Sequence, residues 1–150
     1  MAYRAPRFSI HGIEVDQFAV FPHSALPKEI NDVRLKVDFE ITPEIRCLVV
    51  LQRFQFEVEK QVIVTLQFRV RFQFHKDDWG ALVIEPSGSF SVPIELARHL
   101  TAICLGTGRG ILYEKLQREG TYINLIWPII DVRKIIQETV TFDLTSPPKK

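Results

Sequence analysis

The chain has 150 residues, 46% of them hydrophobic and 25% charged, with a net charge of +1. That length supports one ordinary domain with a real core, and the near-zero charge excludes bulk electrostatic attraction to nucleic acid or to an anionic membrane. No apolar run approaches the roughly 18 residues of a membrane span, and "MAYRAPRFSIHGIEVD" lacks the apolar centre of a secretory signal. Cys47 and Cys104 stand far apart with no CxxC spacing, which favours reduced thiols over a disulfide and a cytoplasmic location.

In chain order, Phe8 to Phe21 reads as a strand whose apolar parity switches between Val15 and Phe18, predicting a bulge or bend. "PHSALPKEIND" carries two prolines and is too long for a tight hairpin, so it crosses over. Val33, Leu35, Val37, Phe39 and Ile41 alternate with Arg34, Lys36, Asp38 and Glu40 in a second strand closed by Pro43. Leu48, Val50, Phe54, Phe56 and Val58 share one face of a third strand, with Arg53, Gln55 and Glu57 on the other. Val62 to Phe74 alternates without a break: Val62, Val64, Leu66, Phe68, Val70, Phe72 and Phe74 against Thr65, Gln67, Arg69, Arg71 and Gln73. "EVEKQ" joins the last two runs as an antiparallel hairpin.

After Phe74 comes a connector rich in turn formers, "HKDDWGALVIEPSGSFS". Ser91 is the expected N-cap and Pro93 sits in the first helical turn. From Ile94 the period becomes helical through Leu96, Leu100, Ile103, Cys104, Thr107, Ile111, Leu112 and Leu116, with a stop before Gly120. Asp131 caps a second helix, "DVRKIIQE"; the stretch 139–144 fits either its continuation or a short strand. The order predicts an α+β fold: a four-stranded antiparallel sheet with a crossover after strand 1, then a long helix and a second helix. One domain over 1–145 and a short disordered tail over 146–150 are expected.

"GTGRG" at 106–110 invites a phosphate-loop reading. A dinucleotide fingerprint needs a strand before its glycines and a helix after them, so that free N–H groups meet the phosphate. These glycines lie inside a helical pattern, where the N–H groups are already bonded. Three glycines there cost about 1 kcal/mol each relative to alanine. Close packing can offset the cost: Ala102, Gly106 and Gly110, spaced by four, form a bald ridge beside a row of Leu100, Cys104, Gly108, Leu112 and Leu116. The ridge can press on the protein's own sheet or on a second subunit, and Ala102, Gly106 and Gly110 are the interface candidates.

"FRVRFQFH" interleaves basic and aromatic residues, but strand geometry sends Arg69 and Arg71 to the face opposite Phe68, Phe72 and Phe74, which argues against RNA stacking. His75 with Asp77 and Asp78 is a poor ligand set, Glu95 and His99 form an i,i+4 pair, and Ser87-Gly88-Ser89 lacks the GxSxG of a nucleophile elbow. No constellation supports an enzyme, and no metal or cofactor is called for. What remains is excess apolar surface: eleven phenylalanines and two tryptophans on a single-layer sheet that two helices cannot fully cover. Such surface implies oligomerisation, a greasy groove, or both.

The element order and one segment resemble the SecB family of export chaperones. The segment comprises Pro93 with Ala97-Arg98 in the helix, then Gly120-Thr121-Tyr122, Asn124-Leu125 and Trp127-Pro128-Ile129-Ile130-Asp131. The resemblance implies an ATP-independent holdase assembled as a homotetramer, a dimer of dimers. It implies that non-native polypeptides lie extended in apolar grooves lined by the sheet, the crossover and the last helix. By analogy Phe18, Phe21, Leu26, Trp127 and Ile130 line such a groove. The tail "SPPKK" carries no Cys or His, which argues against the family's zinc-dependent link to the translocase motor SecA. Ile129 and Asp131 replace a proline and an asparagine of the family pattern, so the chain reads as a divergent member, serving export or the protection of antitoxins. A binding protein for a lipid or other small apolar ligand is the alternative that the same greasy surface allows.

Overall fold

The computed structural model describes residues 4–21, 29–30, 32–80, 82, 89–119, 125 and 129–143. Four strands, β1 (Phe8–Val20), β2 (Asp32–Thr42), β3 (Cys47–Val58) and β4 (Gln61–Phe74), form one antiparallel sheet in the order β1-β4-β3-β2. β1 and β2 are therefore opposite edges, and the connection between them crosses the width of the sheet, about 14 Å at the usual strand spacing. The chain is α+β, as its patterning predicts.

Period-two alternation builds the sheet. The even residues of β4 from Val64 to Phe74 are buried, while Gln67, Arg69, Arg71 and Gln73 stay half-exposed on the other face. There Arg69 meets Asp16 at 3.0 Å and Arg71 meets Glu14 at 3.0 Å. The basic side chains of "FRVRFQFH" are thus spent on neighbouring carboxylates, opposite the aromatic face. The β3–β4 turn places Glu59 and Lys60 in the left-handed region, at φ 52° and 67°, the conformation whose twist matches a two-residue hairpin. β1 slips register between Ile10 and Gly12 and again between Val15 and Gln17. The second break is the predicted bulge, and it aims Asp16 at Arg69.

A short helix, α1 (Lys76–Trp79), follows β4 and is capped by His75, whose Nδ1 accepts the N–H of Asp77 at 3.3 Å. The connector also contains a strand, β5 (Ser89–Val92), which pairs with β6 (Val140–Asp143) as a second, two-stranded sheet. The undecided 139–144 stretch is thus a strand over Val140–Asp143. Ser91 lies inside β5 and is not the N-cap. Phe90 and Val92 are fully buried opposite Phe142 and Val140, and that burial outweighs the capping preference of a serine. Trp79 packs on Phe90 at 4.8 Å between ring centroids and on Phe74 at 5.8 Å, joining the two sheets.

The long helix, α2 (Ile94–Arg118), begins directly after Pro93. Its buried side includes Leu96, Leu100, Cys104, Gly108, Leu112 and Leu116, the predicted i,i+4 row. Gly108 lies directly against the sheet. A Cβ there would stand 2.8 Å from Phe68 Cε1 and 2.9 Å from Phe54 Cε2, two fully buried rings stacked 6.2 Å apart. Nearby, the Gln52 amide donates to the Thr101 carbonyl at 3.2 Å, a polar tie between sheet and helix within the core. Burial pushes the Cys104 thiol up to about 12, and both cysteines are buried and unbridged.

The second helix is shorter than its sequence pattern suggests. α3 (Val132–Ile135) is a single turn, with the Asp131 carboxylate accepting the N–H of Arg133 at 3.0 Å. Ile136 leaves the helix with extended backbone. Its side chain is buried, and its carbonyl accepts Arg98 Nε at 3.0 Å. Docking onto α2 stops the helix there.

Two outcomes follow from this packing. Gly108→Ala should destabilise the fold by about 1–3 kcal/mol, because the stacked rings cannot yield to a new methyl. Gly110→Ala, whose Cβ enters open space, should instead gain about 1 kcal/mol of helix propensity; urea denaturation of the two variants reads both. At the start of β1, Asp78 accepts the Arg7 guanidinium at 2.9 Å and the Arg7 backbone N–H at 2.7 Å. These bonds hold its carboxyl at about 2. Because the folded value lies below the ordinary one, this tether contributes above about pH 4 and is lost only as pH falls through about 2. An NMR titration should place the Asp78 midpoint there, and Arg7→Ala should return it toward the ordinary carboxylate range.

Candidate apolar binding surface

The core face of the sheet is wider than the helix that covers it. β3 and β4 lie beneath α2 and are buried along that face. The edge strands are not. On β1, Ile10, Ile13 and Val15 stand opposite Phe72, Val70 and Phe68, so they share the helix-covered face, since directly opposed residues point the same way. Their partners are fully buried, yet Ile10 and Ile13 are each 48% exposed and Val15 is 40% exposed. This apolar row lies beyond the reach of α2.

The outward side of α2 is similarly bare. Ala102, Gly106 and Gly110 are exposed, and a Cβ at 106 or 110 would meet nothing within 4 Å. The two glycine rows therefore divide: the row through Gly108 faces the chain's own sheet, and the ridge of interface candidates faces away from it.

On the opposite edge, the core-facing residues of β2, Val33 to Ile41 in alternation, are only half-buried. Val37 and Phe39 floor an open groove of about 550 Å³, whose other wall is the Lys134–Val140 segment. Ile135, Ile136 and Val140 supply apolar groups to that wall, while Lys134 and Glu138 are exposed at its rim. The tie from Arg98 to the Ile136 carbonyl fixes the wall against α2. Gln137 and Thr139 are exposed on the same wall, so the groove has an apolar floor and a mixed wall, a surface that suits an extended chain with apolar side chains on one side.

Of the residues singled out from sequence, Phe18 is half-buried on β1 opposite Leu66. Phe21 is 46% exposed just beyond β1, its N–H bound to the Ile63 carbonyl at 2.7 Å. Ile130 is half-buried against the core, beside a fully exposed Ile129. Leu26 and Trp127 lie outside the described residues, as does most of the Gly120–Asp131 signature. The described candidates do not gather in the β2 groove: Phe18 and Phe21 belong to the far edge, with β4 and β3 between. Val37, Phe39 and Ile136 were not singled out. Their signal was the unbroken alternation of a strand that proves to be an edge, where half the apolar face has no cover.

His75 and His99 have local roles. His75 caps α1. His99 sets its ring edge against Phe8 at 5.8 Å, while Glu95 pairs with Arg98 at 3.5 Å rather than with His99. Among the described residues, no three His, Cys, Asp or Glu side chains lie where they could share a metal ion, and no helix is long and apolar enough to cross a membrane.

No protein-family model matches the sequence, and no curated protein does. Among solved structures, the chain is similar to the Mycobacterium tuberculosis SecB-like chaperone in complex with a ChAD peptide from the HigA1 antitoxin. The identity is 13% and the TM-score 0.49, over 83% of this chain and 92% of that one.

Proposed function

We propose that the chain is an ATP-independent holdase that binds non-native polypeptides along its uncovered apolar surface. The observation that carries the reading is apolar surface left uncovered on the helix-facing side of both edge strands: Ile10, Ile13 and Val15 of β1 are exposed, and Val37 and Phe39 of β2 are half-buried at the floor of an open groove. Extended peptides bind such surfaces through alternate side chains, with low sequence specificity. The SecB-like order of elements read from the sequence supports the same conclusion, and export or antitoxin protection in the cytoplasm are the settings it fits. The candidates Phe18, Phe21, Leu26, Trp127 and Ile130 extend the client surface toward the crossover and the loop before α3.

The bald ridge of α2 and the β1 row of Ile10, Ile13 and Val15 are both exposed, and apolar surface of this kind is ordinarily covered by another subunit. A homotetramer, as a dimer of dimers, is the assembly we propose. It covers the ridge and the β1 row and leaves the β2 groove for clients.

Stoichiometric protein should suppress aggregation of a denatured model enzyme without ATP, followed by light scattering. No suppression at several-fold molar excess would overturn the reading. Phe39→Ser and the fully exposed Ile129→Ser should each weaken suppression several-fold with unchanged circular dichroism. Gly106→Leu should lower the assembled mass seen by multi-angle light scattering, because a bulky side chain removes the flat ridge; an unchanged mass assigns the ridge to solvent. The groove volume also falls in the range of small-ligand sites. A stoichiometric co-purified lipid in native mass spectrometry would favour that second reading, and heterogeneous peptides the first.

A further inference from the structure

Three strands bring positive charge to one end of the sheet. Arg7 precedes β1, Arg46 precedes β3 and Lys76 follows β4, and β4 lies between the other two. The backbone stitches these ends together. The Phe74 N–H donates to the Arg46 carbonyl at 2.9 Å, and the His75 N–H to the Arg7 carbonyl at 3.0 Å. An open cleft of about 460 Å³ lies here, with Arg7, Arg46, His75 and Lys76 in its lining beside Phe8 and Phe74. Arg7 also lines a second cavity of about 350 Å³, together with Arg4 and Asp78. Among the described residues, no carboxylate lines the first cavity and only Asp78 lines the second.

Part of this charge is already matched. Asp78 takes the Arg7 guanidinium at 2.9 Å, and Asp77 stands 3.8 Å from Arg7 and 3.5 Å from His75 Nδ1. Arg4, Arg46 and Lys76 form no ion pair among the described residues. On the polar face of the sheet, by contrast, Arg69, Arg71 and Lys36 each sit against a carboxylate. Arg46 is half-buried and donates from Nε to the Phe74 carbonyl at 3.2 Å, which fixes its guanidinium at the cleft. Its backbone is left-handed, at φ 53° and ψ 47°, so a side chain stands where glycine would be free of strain.

We propose that this cleft binds an acidic polypeptide segment, whose carboxylates meet Arg46, Lys76 and Arg4. It lies at the end of the sheet, apart from the β2 groove, and does not depend on the holdase reading. Charge complementarity sets the sign of the occupant. The extent of the site sets its form. Arg7 and Arg46 flank β4, so their backbones stand about 10 Å apart at the usual strand spacing, and Arg4 lines only the second cavity. One phosphate group is too small to meet both cavities, whereas an extended acidic segment presents carboxylates in succession. Phe74 is fully buried and Phe8 half-buried, so the cleft has no exposed ring on which a nucleic-acid base could stack.

Lys76 and Arg4 carry the test, since both are exposed and without an ion pair among the described residues. Arg7 and Arg46 are unsuitable because Arg7 anchors Asp78 and Arg46 holds the end of β4. A fluorescein-labelled oligoglutamate peptide should bind the full chain saturably by fluorescence anisotropy, and an oligoglutamine peptide should not. Lys76→Gln should weaken binding about two- to fivefold, the effect of losing one exposed ion pair. Arg4→Gln added to it should weaken binding by a similar factor again. Lys60→Gln removes the same charge from the turn at the other end of β4 and should leave the affinity unchanged. Circular dichroism should match the wild type in all three. Absent binding, an equal loss in Lys60→Gln, or full affinity without Lys76 and Arg4 overturns the proposal. Displacement by inorganic phosphate at constant ionic strength would assign the cleft to a small oxyanion, and tighter binding of oligouridylate would assign it to nucleic acid; either result also overturns it.

Discussion

The seat of α2 on the sheet depends on a missing methyl group. Phe54 and Phe68 stack on the apolar face and rise far enough to block a helix carrying a side chain at the contact. Gly108 removes that obstruction, so the helix descends onto the rings. The cost of a mid-helix glycine is offset by burial of the row from Leu96 to Leu116. The descent also brings the Thr101 carbonyl within reach of the Gln52 amide and Arg98 within reach of the Ile136 carbonyl. The C-terminal segment that walls the groove is therefore positioned, indirectly, by one glycine.

The same seat explains why apolar surface is left over. A helix of 25 residues is about 37 Å long but only about 10 Å wide. It covers the two central strands, and the inward rows of the outer strands remain at its flanks. On β2 that remainder becomes a groove because the Lys134–Val140 segment rises beside it. On β1 no described segment covers the row of Ile10, Ile13 and Val15, and it stays open. Both features arise from the ratio of one helix to four strands.

Much of this was legible in the sequence because it rests on periodicity. The alternation of β4 and the i,i+4 row of α2 each state which face is inward, and a parity change located the bulge near Asp16. What could not be read depends on contacts distant along the chain. Ser91 has the chemistry of a cap, but Phe142 and Val140 recruit its neighbours into a strand. "DVRKIIQE" has a helical pattern, but Ile136 is drawn off by Arg98, thirty-eight residues away. The glycines showed that something must approach closely. Which of two adjacent rows meets the sheet is a matter of helix rotation, set by Phe54 and Phe68. For the binding surface, composition announced an excess of apolar groups without locating it, since strand order decides which alternating run becomes an edge.

The irregularities of β1 bear on how far such a sheet can grow. A chain with two regular edges can add neighbours on both sides without limit, the geometry of a fibre. Here one edge is straight and the other is broken twice within thirteen residues. Growth by strand addition is therefore disfavoured on the β1 side, because its two breaks displace the N–H and C=O groups that a new strand would need. A protein that keeps uncovered apolar surface is thereby guarded against fibre growth along that edge.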